Sequence, residues 1–189
     1  MTSQVGVSVD DGELWERAAA GEQSAFAALF ERHVQAVWNH AYRLTGSWAA
    51  AEDLTSNTFL IAWRKRADLT LIRDSVLPWL YTVAGNLARS EHRGARRRLL
   101  LLKRLPEPLE VSDHAESVVE HLDSEQRLRQ VLEAVRTLPK AQRQVVELCL
   151  LGDLSITDAA AVLEVAEVTV RSHISRARAQ LRALLKETK

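Results

Sequence analysis

The stretch Ser155-Ile-Thr-Asp-Ala-Ala-Ala-Val-Leu-Glu-Val-Ala-Glu-Val-Thr-Val-Arg-Ser-His-Ile-Ser-Arg-Ala-Arg178 decides the reading of this chain. It predicts two short helices around a tight corner. Ser155 can cap the first, with Asp158 as a short form of the capping-box acid. Ala159, Ala160, Val162 and Leu163 give that helix a small apolar face, and Glu164 to Glu167 make the corner. In the second helix Val168, Val170, Ile174, Ala177 and Leu181 fall at helical spacing and are expected to pack inward. Thr169, Arg171, Ser172, His173, Ser175, Arg176 and Arg178 then point out as a row of hydrogen-bond donors and positive charge. A helix with that outer face, propped by another helix, is what a major groove admits. An ordinary helical hairpin with a solvated basic face is the competing account, and the rest of the chain has to decide between them.

The length of 189 residues allows one or two domains, each with its own core. Lys and Arg total 25, as do Asp and Glu, so net charge does not point to a partner and only the distribution is informative. Cys149 is alone, which excludes an internal disulfide and a cysteine metal site; it lies in an apolar run and reads as a small core residue. No apolar run is long enough to span a membrane and no signal-peptide pattern opens the chain, so a cytoplasmic protein without membrane insertion is expected. Glycine and proline are scarce, while alanine, leucine and arginine are abundant, which favours an all-α fold.

In chain order, residues 1–11 are small and polar and are expected to be disordered. A short helix from Gly12 to Ala20 presents Leu14, Trp15 and Ala18 and breaks at Gly21. A long one from Ser24 to Thr45 buries Phe26, Leu29, Phe30, Val37, Ala41 and Leu44, leaving His33 and His40 at the surface or boundary. Ser47 can cap a third helix, Trp48 to Arg66, with Leu54, Thr58, Ile61 and Ala62 facing the core and Phe59 and Trp63 forming a second apolar ridge. A loop from Ala67 to Leu77 precedes a helix opened by Ser75 and Pro78, which buries Trp79, Leu80, Val83 and Leu87. Asn86, Arg89, Ser90 and Arg93 form its outer stripe, and Gly94 lies near its end.

Charge then separates. Arg64 to Arg104 holds 11 bases against three acids, the footprint of a polyanion partner. Glu107, Glu110, Asp113, Glu116, Glu120, Asp123 and Glu125 follow, which with Pro106 and Pro108 predicts an acidic flexible linker. The predicted organisation is a first helical domain over 12–98, the linker over 99–122, and a second helical domain over 123–189 that contains the helix-turn-helix. No phosphate-binding glycine loop, metal-ligand spacing or nucleophile–base pair stands out, so neither a cofactor, a bound metal nor an enzyme is expected. A DNA-binding regulator that acts on duplex by itself is one alternative, but it would need a ligand pocket, receiver or dimer seam in the first domain. A helical interaction protein without DNA function is a further one, and the row on the last helix argues against it.

Four motifs in this order resemble the extracytoplasmic-function sigma factors of bacterial RNA polymerase, within the sigma-seventy family. They are Phe26-Ala-Ala-Leu-Phe30, Ala51-Glu-Asp-Leu-Thr55 with Thr58-Phe-Leu-Ile-Ala-Trp-Arg64, Pro78-Trp-Leu-Tyr-Thr-Val-Ala-Gly-Asn-Leu-Ala88, and Leu138-Pro139 with Val168-Thr-Val-Arg-Ser-His-Ile-Ser-Arg-Ala-Arg178. The resemblance covers about Glu13 to Leu185. It implies that Asp53, Asn57, Phe59 and Trp63 grip the clamp helices of the polymerase largest subunit. It implies that the loop from Asp68 to Val76, with Arg73, captures a flipped base of the melted minus-ten element, and that Asn86, Arg89, Ser90 and Arg93 meet that strand. Thr169, Arg171, Ser172, His173, Ser175, Arg176 and Arg178 would read the minus-thirty-five duplex of promoter DNA. The acidic tether would thread toward the polymerase active centre, and an anti-sigma factor would hold the free protein. The chain departs from the family pattern at Ser56 and Asn57, where glutamine and an acid are usual, at Glu164, where glycine is frequent, and at His173, where a basic or polar residue is common.

Overall fold

The structure, a computed structural model, describes residues 10–69, 71, 75–102 and 119–187, with the side chains of 95–102, 119–126, 129, 186 and 187 left aside. Among the described residues every regular element is helical: α1 (Asp11–Ala19), α2 (Gln23–Thr45), α3 (Trp48–Lys65), α4 (Leu77–Leu102), α5 (Val119–Thr137), α6 (Lys140–Val145), α7 (Ile156–Leu163) and α8 (Glu167–Glu187). A π-helical turn, Val146–Leu150, continues α6.

Side-chain caps open α1, α3 and α7. Asp10 accepts from the amide of Glu13 at 2.8 Å, Ser47 from Ala50 at 3.4 Å and Ser155 from Asp158 at 3.0 Å. Gly46 closes α2 in the left-handed region at φ 67°, where glycine carries no Cβ penalty. Asp10 and Asp11, expected within the disordered N-terminus, instead belong to the fold; residues 1–9 lie outside the described residues. Helix α4 runs through Gly94 to Leu102 because the flanking arginines and leucines are good helix formers and one glycine costs only about 1 kcal/mol. Helix α5 begins at Val119, before the expected Asp123. Most of the expected acidic linker, 103–118, lies outside the described residues.

In the first half α2 is the hub, against which α1, α3 and α4 pack. Leu29, Val37, Ala41, Leu44, Leu54, Ala62 and Leu80 are buried there. His33 and His40, expected at the surface or boundary, are buried as well, at 7% and 1% exposure. Each has a local reason. His33 Nε2 meets Asp11 Oδ2 at 2.6 Å, and His40 stacks on Tyr81 with ring centroids 4.2 Å apart. Burial pushes the Asp11 carboxyl up, but the hydrogen bonds with His33 and Arg32 outweigh it and hold this acid well below the usual carboxylate range. Burial lowers His40 to about 4.

In the second half α6, α7 and α8 pack around Val145, Val146, Leu148, Ala159, Val170 and Ala177, with α5 against α8. The two halves also touch. One apolar cluster joins Leu80 and Tyr81 of the first half to Val145, Leu148, Ala159, Ala160 and Val170 of the second. Helix α4 is therefore enclosed between α2 and α3 on one side and the π turn and α7 on the other. Gly152 permits the approach: a Cβ there would lie 2.9 Å from the Tyr81 ring and 2.6 Å from the Leu148 carbonyl.

Candidate nucleic-acid interface

The helix-turn-helix forms over the predicted residues. Ser155 caps α7 and also donates to Asp158 Oδ2 at 2.6 Å. The corner turns on Glu164, which occupies the left-handed region at φ 56°, ψ 42°. A side chain costs about 1–2 kcal/mol there relative to glycine. Helix α8 follows, with Val170 and Ala177 fully buried beneath it.

The outer row of α8 is narrower than the spacing suggested. Arg171, Ser175, Arg176 and Arg178 are exposed, while Thr169 and Ser172 are half-buried beside them. His173 turns away from the row and lines a small cavity with Thr82, Val145, Val162, Leu163 and Val165, its Nδ1 buried. Val168 is a correction in the other direction: expected to pack inward, it is 70% exposed. It lies nearly opposite Val170 on the helical wheel, so both cannot face the core. Arg171 is held by Glu167 at 2.8 Å, and Glu167 in turn accepts from Thr157 of α7 at 2.8 Å. The preceding helix thereby sets the position of the first arginine in the row.

On α4, Asn86, Ser90 and Arg93 are exposed, but Arg89 is not. Its side chain is 13% exposed and forms an ion pair with Glu147 of the π turn, and it also donates to Asn86 Oδ1 at 2.6 Å. Glu147 gave no signal in the sequence, lying within the run Val145–Leu150. The π turn explains its burial, since Val146, Glu147 and Leu148 are consecutive and all buried. Burial pushes the Glu147 carboxyl up, against the lowering effect of Arg89. Arg89, Arg93, Arg136 and Arg143 line a cleft of about 120 Å³ between the halves. Arg73 lies outside the described residues. The described residues before and after it are held to α1: Trp15 Nε1 donates to the Leu69 carbonyl at 3.0 Å, and Ser75 and the Val76 amide donate to Asp11 at 2.9 and 3.1 Å.

On α3, Asp53 and Asn57 are exposed. Phe59 is not: at 5% exposure it packs edge-on against Phe26 and Phe30. Trp63 is half-buried beneath the Arg66 guanidinium, 3.6 Å above its ring. Leu60, which the pattern did not single out, is 44% exposed between Asn57 and Arg64 on the outer face. Among the described residues no group of acids, histidines or cysteine is arranged to hold a metal ion, and no helix is long and apolar enough to cross a membrane.

Two matched regions place this arrangement in a class. Residues 29–98 match the model of sigma-70 region 2, and residues 128–181 match that of sigma-70 region 4. The ECF RNA polymerase sigma factor SigL of Mycobacterium tuberculosis is 33% identical over 173 residues, covering 90% of this chain and 94% of the relative. The ECF RNA polymerase sigma factor BldN of Streptomyces coelicolor is 35% identical over 175 residues, covering 92% of this chain; the match spans 65% of that longer relative. The chain belongs to the ECF sigma factors of RNA polymerase. Among solved structures, CnrH in complex with the cytosolic domain of CnrY superposes with a TM-score of 0.65 at 27% identity, covering 95% of this chain and 99% of that one. The sigma factor RpoE of Bartonella quintana, in complex with the anti-sigma factor NepR, gives 0.56 at 26% identity, covering 85% and 96%.

Proposed function

We propose that this chain recruits RNA polymerase core to a subset of promoters and has no chemistry of its own. The outer face of α3, with Asp53, Asn57 and Leu60, docks on the polymerase. Helix α8 reads the minus-thirty-five duplex through Arg171, Ser172, Ser175, Arg176 and Arg178. Asn86, Arg89, Ser90 and Arg93 of α4 hold the melted minus-ten strand, where amide and guanidinium groups meet exposed base edges and positive charge retains the displaced backbone. The observation that carries the reading is the exposed arginine row on a helix propped by α7, in the same chain as an exposed polar stripe on α4. The Arg89–Glu147 pair adds a condition: Arg89 meets DNA only after the halves part at this seam. Control by an anti-sigma factor is supported by the RpoE relative, solved with such a partner. The site of action is the cytoplasm, where polymerase and promoter are.

Purified chain with polymerase core is expected to start transcripts from a subset of genomic promoters. Folded protein that starts none, in the absence of an inhibitor, overturns the reading. Arg171→Ala and Arg176→Ala are each expected to weaken promoter binding by about 1–3 kcal/mol if they contact base edges. Unchanged promoter choice in both removes those two assignments.

A further inference from the structure

We propose that Val168 is a specificity residue that reads the methyl group of one thymine in the minus-thirty-five duplex. The inference rests on the reading of α8 as the duplex-facing helix.

Of the large apolar side chains described, Val168 is the most exposed, at 70%. It occupies the first turn of α8, and the N-terminal residues of a recognition helix are those that reach base edges. Arg171, Ser172 and Ser175 follow it at three-, four- and seven-residue steps and so share its face, while Val170 and Ala177 on the opposite face fill the core. Val168 is thus an aliphatic group set at the head of a row of donors. The major groove offers donors and acceptors on every base pair, but its one apolar feature is the C5 methyl of thymine.

The position of Val168 is also fixed. Glu167 accepts from Thr157 of α7 and holds Arg171 at 2.8 Å, so the residue before Val168 is tied directly to the supporting helix and Arg171 is tied through it. A valine has few side-chain rotamers in a helix, which limits the ordering cost of contact. Arg171 lies one turn further along, so the thymine read by Val168 should neighbour the base pair read by Arg171.

The test removes the methyl from the DNA and the side chain from the protein. A promoter recovered from a library randomised in the minus-thirty-five element is bound by holoenzyme made with the full chain. Each thymine of that element is replaced in turn by deoxyuridine. At one position, wild type should lose about fourfold in affinity, the ratio set by burying one methyl group. Val168→Ala should bind the thymine and uracil promoters equally at that position. Val165→Ala, a change at the nearby 39% exposed valine of the corner, should keep the wild-type preference. Equal deoxyuridine sensitivity in wild type and Val168→Ala, or no sensitive thymine in wild type, overturns the inference while leaving the duplex reading intact. Holoenzyme that recovers library promoters without regard to the minus-thirty-five sequence overturns both.

Discussion

Arg89 of α4 and Glu147 of the π turn form a buried ion pair across the seam between the two halves, 58 positions apart in the chain. Their side chains are 13% and 9% exposed, so neither charge has water as an adequate substitute for the other. The pair is closed over by Gly85, whose missing Cβ would lie 3.3 Å from both Glu147 and Arg89.

Glu147→Gln should therefore weaken the seam by about 3 kcal/mol, because removing one partner leaves the other charge buried and unpaired. Urea unfolding of the full chain, with fluorophores on α4 and α8 to follow their separation, measures it. Exchanging the charges, Arg89→Glu with Glu147→Arg, should recover much of the loss. A Glu147→Gln chain with unchanged separation and stability would show that the apolar cluster alone holds the halves.

Glu164→Gly should stabilise the second half by about 1 kcal/mol. The residue sits at φ 56°, where glycine avoids the Cβ clash. Thermal melting of the two proteins side by side decides it, and a lower melting temperature for the glycine variant would mean that the glutamate side chain makes up for its backbone strain.

Stability should fall as pH drops from 6.5 towards 4. The sign follows from His40: burial lowers its folded value to about 4 from 6.5, so over this window the unfolded chain takes up a proton that the native chain refuses. The loss is on the order of 3 kcal/mol once pH is below both values. Asp11 adds a second loss at lower pH, since its folded carboxyl is depressed and its contribution disappears as that group protonates. Denaturant midpoints across this range, compared with His40→Phe, test the first part. A His40→Phe protein with the same decline between pH 6.5 and 4 would assign it elsewhere.

Phe59 and Leu60 are neighbours that should separate folding from docking. Phe59→Ala removes a ring packed on Phe26 and Phe30 and should cost about 3–5 kcal/mol of stability. Leu60→Ala should leave the melting temperature nearly unchanged and lower affinity for polymerase core. Titration of labelled protein with core gives the second value, and undiminished affinity would take Leu60 out of the docking face.

The hairpin from Ser155 to Arg178 was legible because local chemistry specifies it: a serine cap, a run of small apolar residues, and a second helix whose core residues Val170 and Ala177 are spaced two turns apart. The stripe of Asn86, Ser90 and Arg93 was legible for the same reason, as exposed polar residues at helical steps. Val168 was grouped with the inward residues, but it lies nearly opposite Val170 on the helix, so the burial of Val170 turns it outward. His33 and His40 look like surface residues until Asp11 and Tyr81, distant in sequence, are brought against them. Phe59 shares α3 with the exposed Asp53 and Asn57, yet its ring partners are on α2. Glu147 was silent because nothing local distinguishes a glutamate bound for an arginine on another helix from one bound for water.

Asp11 gathers Arg32, His33, Ser75 and the Val76 amide around one carboxylate. Trimming the front of the chain beyond Asp10 would withdraw an anchor whose effect is felt 64 positions later, at Ser75, just before α4 begins. A shortened protein would then misplace the start of the helix proposed to hold single-stranded DNA, and with it Leu80 and Tyr81, which pack in one cluster with Val170 of α8.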